Sequence, residues 1–462
     1  MASPFLRSRS IAPKTSTELL PATMSSPLRP LVLLLLLSNY WAPSTAVHSS
    51  TLLLARSHPV SPDANAPVTA WASSLAAQSA ADAARVATLA AHAKKARRSF
   101  VPIAPGRQIL RIPNYVARAR LGTPAQALLV AIDPSNDAAW VPCSACAGCA
   151  PPPAPSFSPT RSSTYRTLRC GAPQCAQAPG PSCPAGAGAP CAFNLTYAGS
   201  TFQALLGQDA LALEGGAVAT SYTFGCLHAV TGNSASLPPQ GLLGFGRGPL
   251  SFLSQTKGVY GAVFSYCLPS YKSSNFSGTL RLGPTGQPRR IKTTPLLSNP
   301  HRPSLYYVDM VGIRVGGKPV PVPASALAFD PASGRGTIVD AGTMFTRLSA
   351  PVYAAVRDAF RRRVRAPVAG PLGGFDTCYN VTVSVPTITF AFAGPVTVTL
   401  PEENVMIRSS SGRIACLAMA AGPPDGVDAA LNVLASMQQQ NHRVLFDVAN
   451  GRVGFSREVC TA

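Results

Sequence analysis

Two short stretches limit what this chain can fold into. Each is an apolar, β-like run that ends on one Asp and breaks at once into a turn. In the first, Leu128, Leu129, Val130, Ala131 and Ile132 lead into Asp133-Pro134-Ser135-Asn136. In the second, Ile338 and Val339 lead into Asp340-Ala341-Gly342-Thr343. Such runs predict buried strands. A carboxyl at the buried end of a strand is costly unless it is hydrogen-bonded or shares a proton. Either Asp alone reads as a turn-former. The recurrence of the pattern in each half predicts one unit used twice, with the two Asp loops forming a water-activating carboxylate pair.

The rest of the chain predicts an all-β protein with few helices. The 46 Pro and 37 Gly supply many turns. At 462 residues there is room for two or three lobes, each with its own core. Strand-like alternation recurs at Val396–Leu400 and Arg443–Phe446. One helix is predicted from Pro351 to Val364. Pro suits its first position, and Val352, Val356 and Phe360 repeat every fourth residue. A basic, Pro-rich segment between Gly278 and Pro303 predicts the crossing between an N-terminal lobe, 101–295, and a C-terminal lobe, 296–462.

Residues 1–46 read as a signal segment. Leu31–Leu37 is an unbroken apolar run after Arg29, with small residues Ser44 and Ala46 beyond it. It is too short to span a bilayer, which takes roughly 20 residues. The stretch before it carries Arg7, Arg9 and Lys14. This leaves Met24 as an alternative start, or a transit-like extension and a plastid location as an alternative to secretion. Residues 47–100 are Ala-rich and end on the basic run Lys94, Lys95, Arg97 and Arg98. They read either as a mobile arm or as a propeptide. The net charge of +21 admits nucleic acid, an anionic membrane or an acidic polysaccharide as partner. After residue 100, however, the only dense basic cluster is Arg361-Arg362-Arg363, and a basic secreted protein is the plainer reading.

All 12 Cys fall between Cys143 and Cys460, an even number after a signal segment, which predicts disulfides. Cys143, Cys146 and Cys149 have a spacing that also suits zinc, but they stand in a Pro/Ala/Gly loop with no His nearby. Cys378 and Cys416 are candidate partners; the other pairings stay open. Asn194, Asn275 and Asn380 begin sequons suited to surface glycosylation. The chain has no Gly-x-Ser-x-Gly elbow and no His-Glu-x-x-His helix, and its six His are scattered.

Together with a series of motifs in matching order, the two Asp loops resemble those of the pepsin-like aspartic proteases, and among these the plant nepenthesin-like branch. The resemblance runs from about Ile109 to Cys460. Trp140 matches the Trp that touches the family's flap Tyr, and Tyr197, in Leu195–Ser200, matches that Tyr. Gly241–Gly248 matches the Gly-rich strand that closes the first lobe. Phe264–Leu268, Tyr306–Val308, Phe375–Cys378 and Asn432–Phe455, with its Gln438–Asn441, also fit. The Cys-rich stretch before the flap is similar to the insertion of nepenthesin-like enzymes. The resemblance implies a mostly β, bilobal β-barrel architecture with a few short helices and a cleft between the lobes. It implies catalysis by Asp133 and Asp340, and closure by Tyr197 steadied by Trp140. It also implies a propeptide whose basic end covers the cleft. The expected partner is a polypeptide substrate, met by a monomer with no cofactor, metal, nucleic acid or membrane span after signal removal.

The loops depart from the family pattern. Asp133-Pro134-Ser135-Asn136 stands for Asp-Thr-Gly-Ser, and Asp340-Ala341-Gly342-Thr343 for Asp-Ser/Thr-Gly-Ser/Thr. Pro134 and Ala341 lack the hydroxyls that bond across the lobes, and Pro134 lacks an N–H. Ser135 replaces a Gly, so its Cβ is expected to crowd the carboxylates. Asn136 keeps a donor and Thr343 a hydroxyl. Ser135-Asn136 is similar to the loop of an apoplastic subgroup of the branch. The expected function is a secreted, apoplastic aspartic endopeptidase, slower than its relatives. The alternative is a pseudoprotease that binds a protein or glycan, as xylanase-inhibitor relatives do. A plastid nucleic-acid binder is a third reading, against which the Cys and the sequons argue.

Overall fold

A computed structural model of the chain describes residues 99–460, apart from 150–154, 184, 233–236, 410 and 427–428. The expected signal segment and all but the last two residues of the expected propeptide lie outside the described residues. The described chain is mostly β and bilobal with short helices, the pepsin-like architecture that the resemblance implies.

The two Asp-terminated strands are held in the same way. Gln126–Asp133 pairs antiparallel with Tyr115–Leu121 and parallel with Leu242–Gly244, which sets Gly244 opposite Asp133. Gly336–Val339 pairs antiparallel with Tyr307–Val308 and parallel with Leu431–Leu434. Both strands are therefore interior to their sheets. Interior strands with buried faces read as near-continuous apolar runs rather than as alternation.

The two halves share a six-stranded antiparallel sheet. Its strands run in the order Ser99–Pro105, Gly278–Leu282, Val263–Cys267, His442–Asp447, Arg452–Arg457 and Lys292–Leu297. The crossing segment is thus not a plain linker. It contributes two strands, one of which alternates buried and half-buried residues from Gly278 to Leu282. Across the sheet, Phe264 stacks on Phe446 with centroids 4.7 Å apart, and Tyr306 meets Phe446 edge-on at 4.5 Å. One core therefore runs from Val101 to Phe455 through both halves, where one core per lobe was expected. A second cluster, around Trp140, Phe193 and Phe202, lies in the first half.

The predicted helix spans Ala350–Val364, one residue earlier than Pro351, which lies within its first turn. Val352, Val356 and Phe360 are buried as their spacing requires. The 12 Cys form six disulfides: Cys143–Cys226, Cys146–Cys149, Cys170–Cys183, Cys175–Cys191, Cys267–Cys460 and Cys378–Cys416. The run whose spacing suits zinc is divided between the first two of these. Asn194, Asn275 and Asn380 are exposed. No helix among the described residues is long and apolar enough to cross a membrane.

Candidate active site

Asp133 and Asp340 are 1% and 3% exposed, so each carboxyl depends on donors supplied by the protein. Asp133 Oδ1 accepts from the Ser135 N–H at 2.8 Å and from Ser135 Oγ at 2.7 Å. Its Oδ2 accepts from Asn136 Nδ2 at 2.8 Å and from the Tyr197 hydroxyl at 3.2 Å. Asp340 Oδ1 accepts from the Gly342 N–H at 2.8 Å, and Oδ2 from Thr343 N–H at 3.0 Å and Thr343 Oγ1 at 2.7 Å. The loops face each other. A Cβ added at Gly342 would lie 2.5 Å from Asp133 Oδ1 and 2.6 Å from Oδ2.

The expectation that Ser135 crowds the carboxylates does not hold. Its side chain folds back along the turn, as short polar side chains do, and its hydroxyl becomes a donor to Asp133. Pro134 and Ala341 are buried and bring no hydroxyl. Other residues link the halves around them. Asn114, 2% exposed, donates to the Tyr197 hydroxyl at 3.0 Å and to the Gly342 carbonyl at 3.4 Å. The Tyr266 hydroxyl donates to Gln439 Oε1. Gln439 Nε2 in turn donates to the carbonyls of Asp340 and Leu434 at 2.9 and 2.7 Å.

Asp137 is a further anchor that the sequence did not single out. Its carboxylate accepts from the Gly248 N–H at 2.7 Å and from Ser304 Oγ of the second half. The Gly-rich strand must pass close by. A Cβ at Gly244 would stand 2.6 Å from the Asn136 carbonyl oxygen.

Tyr197 ends one arm of a hairpin, Ala192–Tyr197 paired with Ser200–Leu213. The hairpin turns at Ala198-Gly199, with φ of 49° and 79°, both positive as a two-residue turn of this hand requires. The Tyr197 ring meets Trp140 edge-on, with centroids 6.0 Å apart, and Trp140 rests against Phe202 at 4.9 Å. Trp140 and Tyr197 are thus in the contact that the resemblance implies. Burial, and next the charge of Asp133, push the Tyr197 hydroxyl up, so it stays a donor.

Burial, followed by the neighbouring Asp133, pushes the Asp340 carboxyl up to about 7. The bonds from Thr343 and Gly342 oppose that shift without cancelling it. Asp133 accepts four donors and is arranged to carry the charge. The geometry suits one ionised and one protonated carboxyl on a single water.

Two family models match the chain: xylanase inhibitor N-terminal over residues 115–284 and xylanase inhibitor C-terminal over 305–457. The chain is 47% identical over 420 residues to Aspartyl protease 25 of Oryza sativa subsp. japonica, covering 87% of this chain and 93% of the relative. It is 47% identical over 373 residues to Aspartyl protease AED3 of Arabidopsis thaliana, covering 80% and 82%. It is 34% identical over 362 residues to aspartic proteinase nepenthesin-2 of Nepenthes gracilis, covering 76% and 78%. Among solved structures, the fold is similar to that of edgp, with TM-score 0.63, 21% identity and coverage of 79% of this chain and 96% of that one. It is also similar to Basic 7S globulin from soybean, with TM-score 0.60, 22% identity and coverage of 79% and 95%.

Proposed function

Because the chain belongs to the pepsin-like aspartic protease family, together with plant aspartyl proteases, we propose that it is a secreted aspartic-type endopeptidase. Water held between Asp133 and Asp340 attacks the scissile peptide bond. The observation that carries this reading is the close approach of Gly342 to Asp133, with both carboxylates buried and bonded. Ionised Asp133 takes a proton from the water as it attacks. Protonated Asp340 hydrogen-bonds the scissile carbonyl oxygen and donates its proton as the tetrahedral gem-diol forms. No covalent intermediate forms. On collapse the C–N bond breaks, Asp133 passes the proton it took from water to the leaving amine, and a gem-diol hydroxyl returns a proton to Asp340. Tyr197 closes the hairpin over the site and Trp140 steadies its ring.

The missing hydroxyls at Pro134 and Ala341 leave the loops less firmly held, so turnover is slower than in relatives that keep them. Intact donor sets on both carboxyls favour the enzyme over the pseudoprotease. In this reading residues 1–46 are the signal, 47–100 the propeptide, and 101–295 and 296–462 the two lobes. Asn194, Asn275 and Asn380 carry glycans, which the exposure of all three permits.

The pH–rate profile tests the reading. Cleavage of a denatured protein by the matured chain is expected in acid and lost as pH rises through about 7, where Asp340 gives up its proton. Stability has the same sign. A carboxyl raised from 3.8 contributes stability fully present below that value and lost as pH rises through about 7. Turnover that stays flat up to pH 8 would overturn the assignment of the protonated role to Asp340.

A further inference from the structure

We propose that the pocket beside Tyr271 is a subsite for an acidic side chain of the polypeptide substrate, several residues from the bond that is cut. The proposal rests on the endopeptidase reading and names a substrate class for it.

The pocket has a volume of about 270 Å³ and is lined by Ser270, Tyr271, Lys272, Glu402, Glu403, Met406 and Arg408. It is joined to the dyad by packed side chains. Met344 follows directly on Asp340–Thr343, and its carbonyl accepts from the Met437 N–H at 3.0 Å. Half-buried Met344 and Phe345 pack on the cluster of Tyr271, Ala418 and Met437. On the other side, the Gly106 N–H donates to the carbonyl of Asn114, the residue that touches Tyr197 and Gly342. Gln108, in the same turn as Gly106, donates from Nε2 to the Tyr271 carbonyl at 3.3 Å. A strand-like peptide advances about 3.3 Å per residue. Met344 and Phe345 connect the Asp340 loop to Tyr271, so a peptide that leaves the dyad on this side would run toward Tyr271.

The charges select what arrives there. Both carboxylates of the pocket already have cations. Glu402 pairs with Arg408 at 2.9 Å, and Glu403 pairs with Arg457 at 3.6 Å. Two other cations have no carboxylate partner among the described residues. The Arg107 guanidinium lies 5.5 Å from the Tyr271 ring centroid, and the Lys272 ammonium 5.8 Å from it. Two uncompensated cations on one ring make a local field that an acidic side chain relieves and a basic one worsens. The ring itself gives the aliphatic part of that side chain an apolar surface.

A walking substitution tests this. In a decapeptide with an apolar pair at its centre, one Asn is replaced by Asp at each outer position in turn. Cleavage and equilibrium binding by fluorescence anisotropy are both measured. At one outer position, Asp is expected to tighten Kd and lower KM by roughly three- to fivefold, the size of one or two exposed charge pairs, with kcat unchanged. The gain is expected to fade in high salt. It is expected to vanish in Lys272→Glu and in Arg107→Glu, both at exposed positions. Equal binding of Asp and Asn at every position would overturn the subsite. So would a gain that survives both charge reversals. If no peptide is cut while the Asp preference persists in binding, the subsite stands and the endopeptidase reading fails.

Discussion

Gly342→Ala is expected to remove nearly all turnover from a chain that still folds. The added Cβ would stand 2.5 Å from Asp133 Oδ1, a distance that side chains do not tolerate. Asp133 cannot yield easily, because Ser135, Asn136 and Tyr197 fix both of its oxygens. The second loop must therefore back away, and with it the N–H that Gly342 gives to Asp340 Oδ1. Misplacing reacting groups by about 1 Å costs on the order of 10² in rate, and losing a preorganised donor costs on the order of 10²–10³. A fall in kcat of at least about 10²-fold is expected, with KM changed little, since the clash acts on the carboxylates and not on the peptide groove. Overpacking of this kind costs roughly 1–3 kcal/mol of stability, within what a folded domain survives. Turnover within about threefold of the unmodified chain would mean that the two loops do not meet in the working enzyme.

Gln439→Leu is expected to give the largest loss of stability among single polar substitutions near the site. Gln439 is 1% exposed and serves three groups. It accepts from the buried Tyr266 hydroxyl and donates to the carbonyls of Asp340 and Leu434. Leu fills the volume and satisfies none of them. The Leu434 carbonyl keeps the Asp340 N–H at 3.1 Å, so two groups, the Tyr266 hydroxyl and the Asp340 carbonyl, lose this partner. Each buried group left without a partner costs about 1–3 kcal/mol, so about 2–4 kcal/mol is expected after some relaxation. Denaturant unfolding measures this as a lower midpoint with an unchanged slope. The double-mutant cycle with Tyr266→Phe locates the cause. Removing the hydroxyl as well should restore part of the loss, because one orphan donor disappears with it. Strict additivity would show that the bond between Tyr266 and Gln439 contributes nothing. The same substitution loosens the backbone at Asp340, so turnover should fall with stability.

The parts of the site that the sequence reveals are those where local pattern and chemistry coincide. An apolar run that stops on Asp is a strand end with a carboxyl to satisfy, and the run occurs once in each half. Trp140 and Tyr197 stand in recognisable order around it. The supports are different. Asn114, Asp137 and Gln439 are ordinary polar residues whose partners lie far along the chain. Asn114 reaches Gly342, and Asp137 reaches Ser304. No periodicity in one sequence encodes such pairs. Gln439 does stand in a familiar run, Gln438–Asn441, but only the fold shows that its amide holds the Asp340 carbonyl. Ser135 misleads for a related reason. Whether a Cβ at that position crowds the carboxylates or carries a useful hydroxyl depends on how the turn directs the side chain. The crossing segment hides two strands because its Pro and Arg content masks the alternation at Gly278–Leu282. The zinc-like Cys spacing is resolved only by the approach of Cys226 to Cys143 from a distant strand.

The central claim is that Asp133 and Asp340 act together on one water. Its most direct test is cleavage of a denatured protein in acid by the matured chain, beside Asp340→Asn under the same conditions. A pH of about 4 lies well below the value of about 7 to which Asp340 is raised, so its carboxyl holds the proton it must donate. The unmodified chain is expected to cleave, and pepstatin to stop it. Asp340→Asn, folded as judged by an unchanged circular-dichroism spectrum, is expected to be slower by at least about 10³-fold, as for loss of a group acting in the transition state. Equal cleavage by Asp340→Asn, or none by the folded unmodified chain, would contradict the claim.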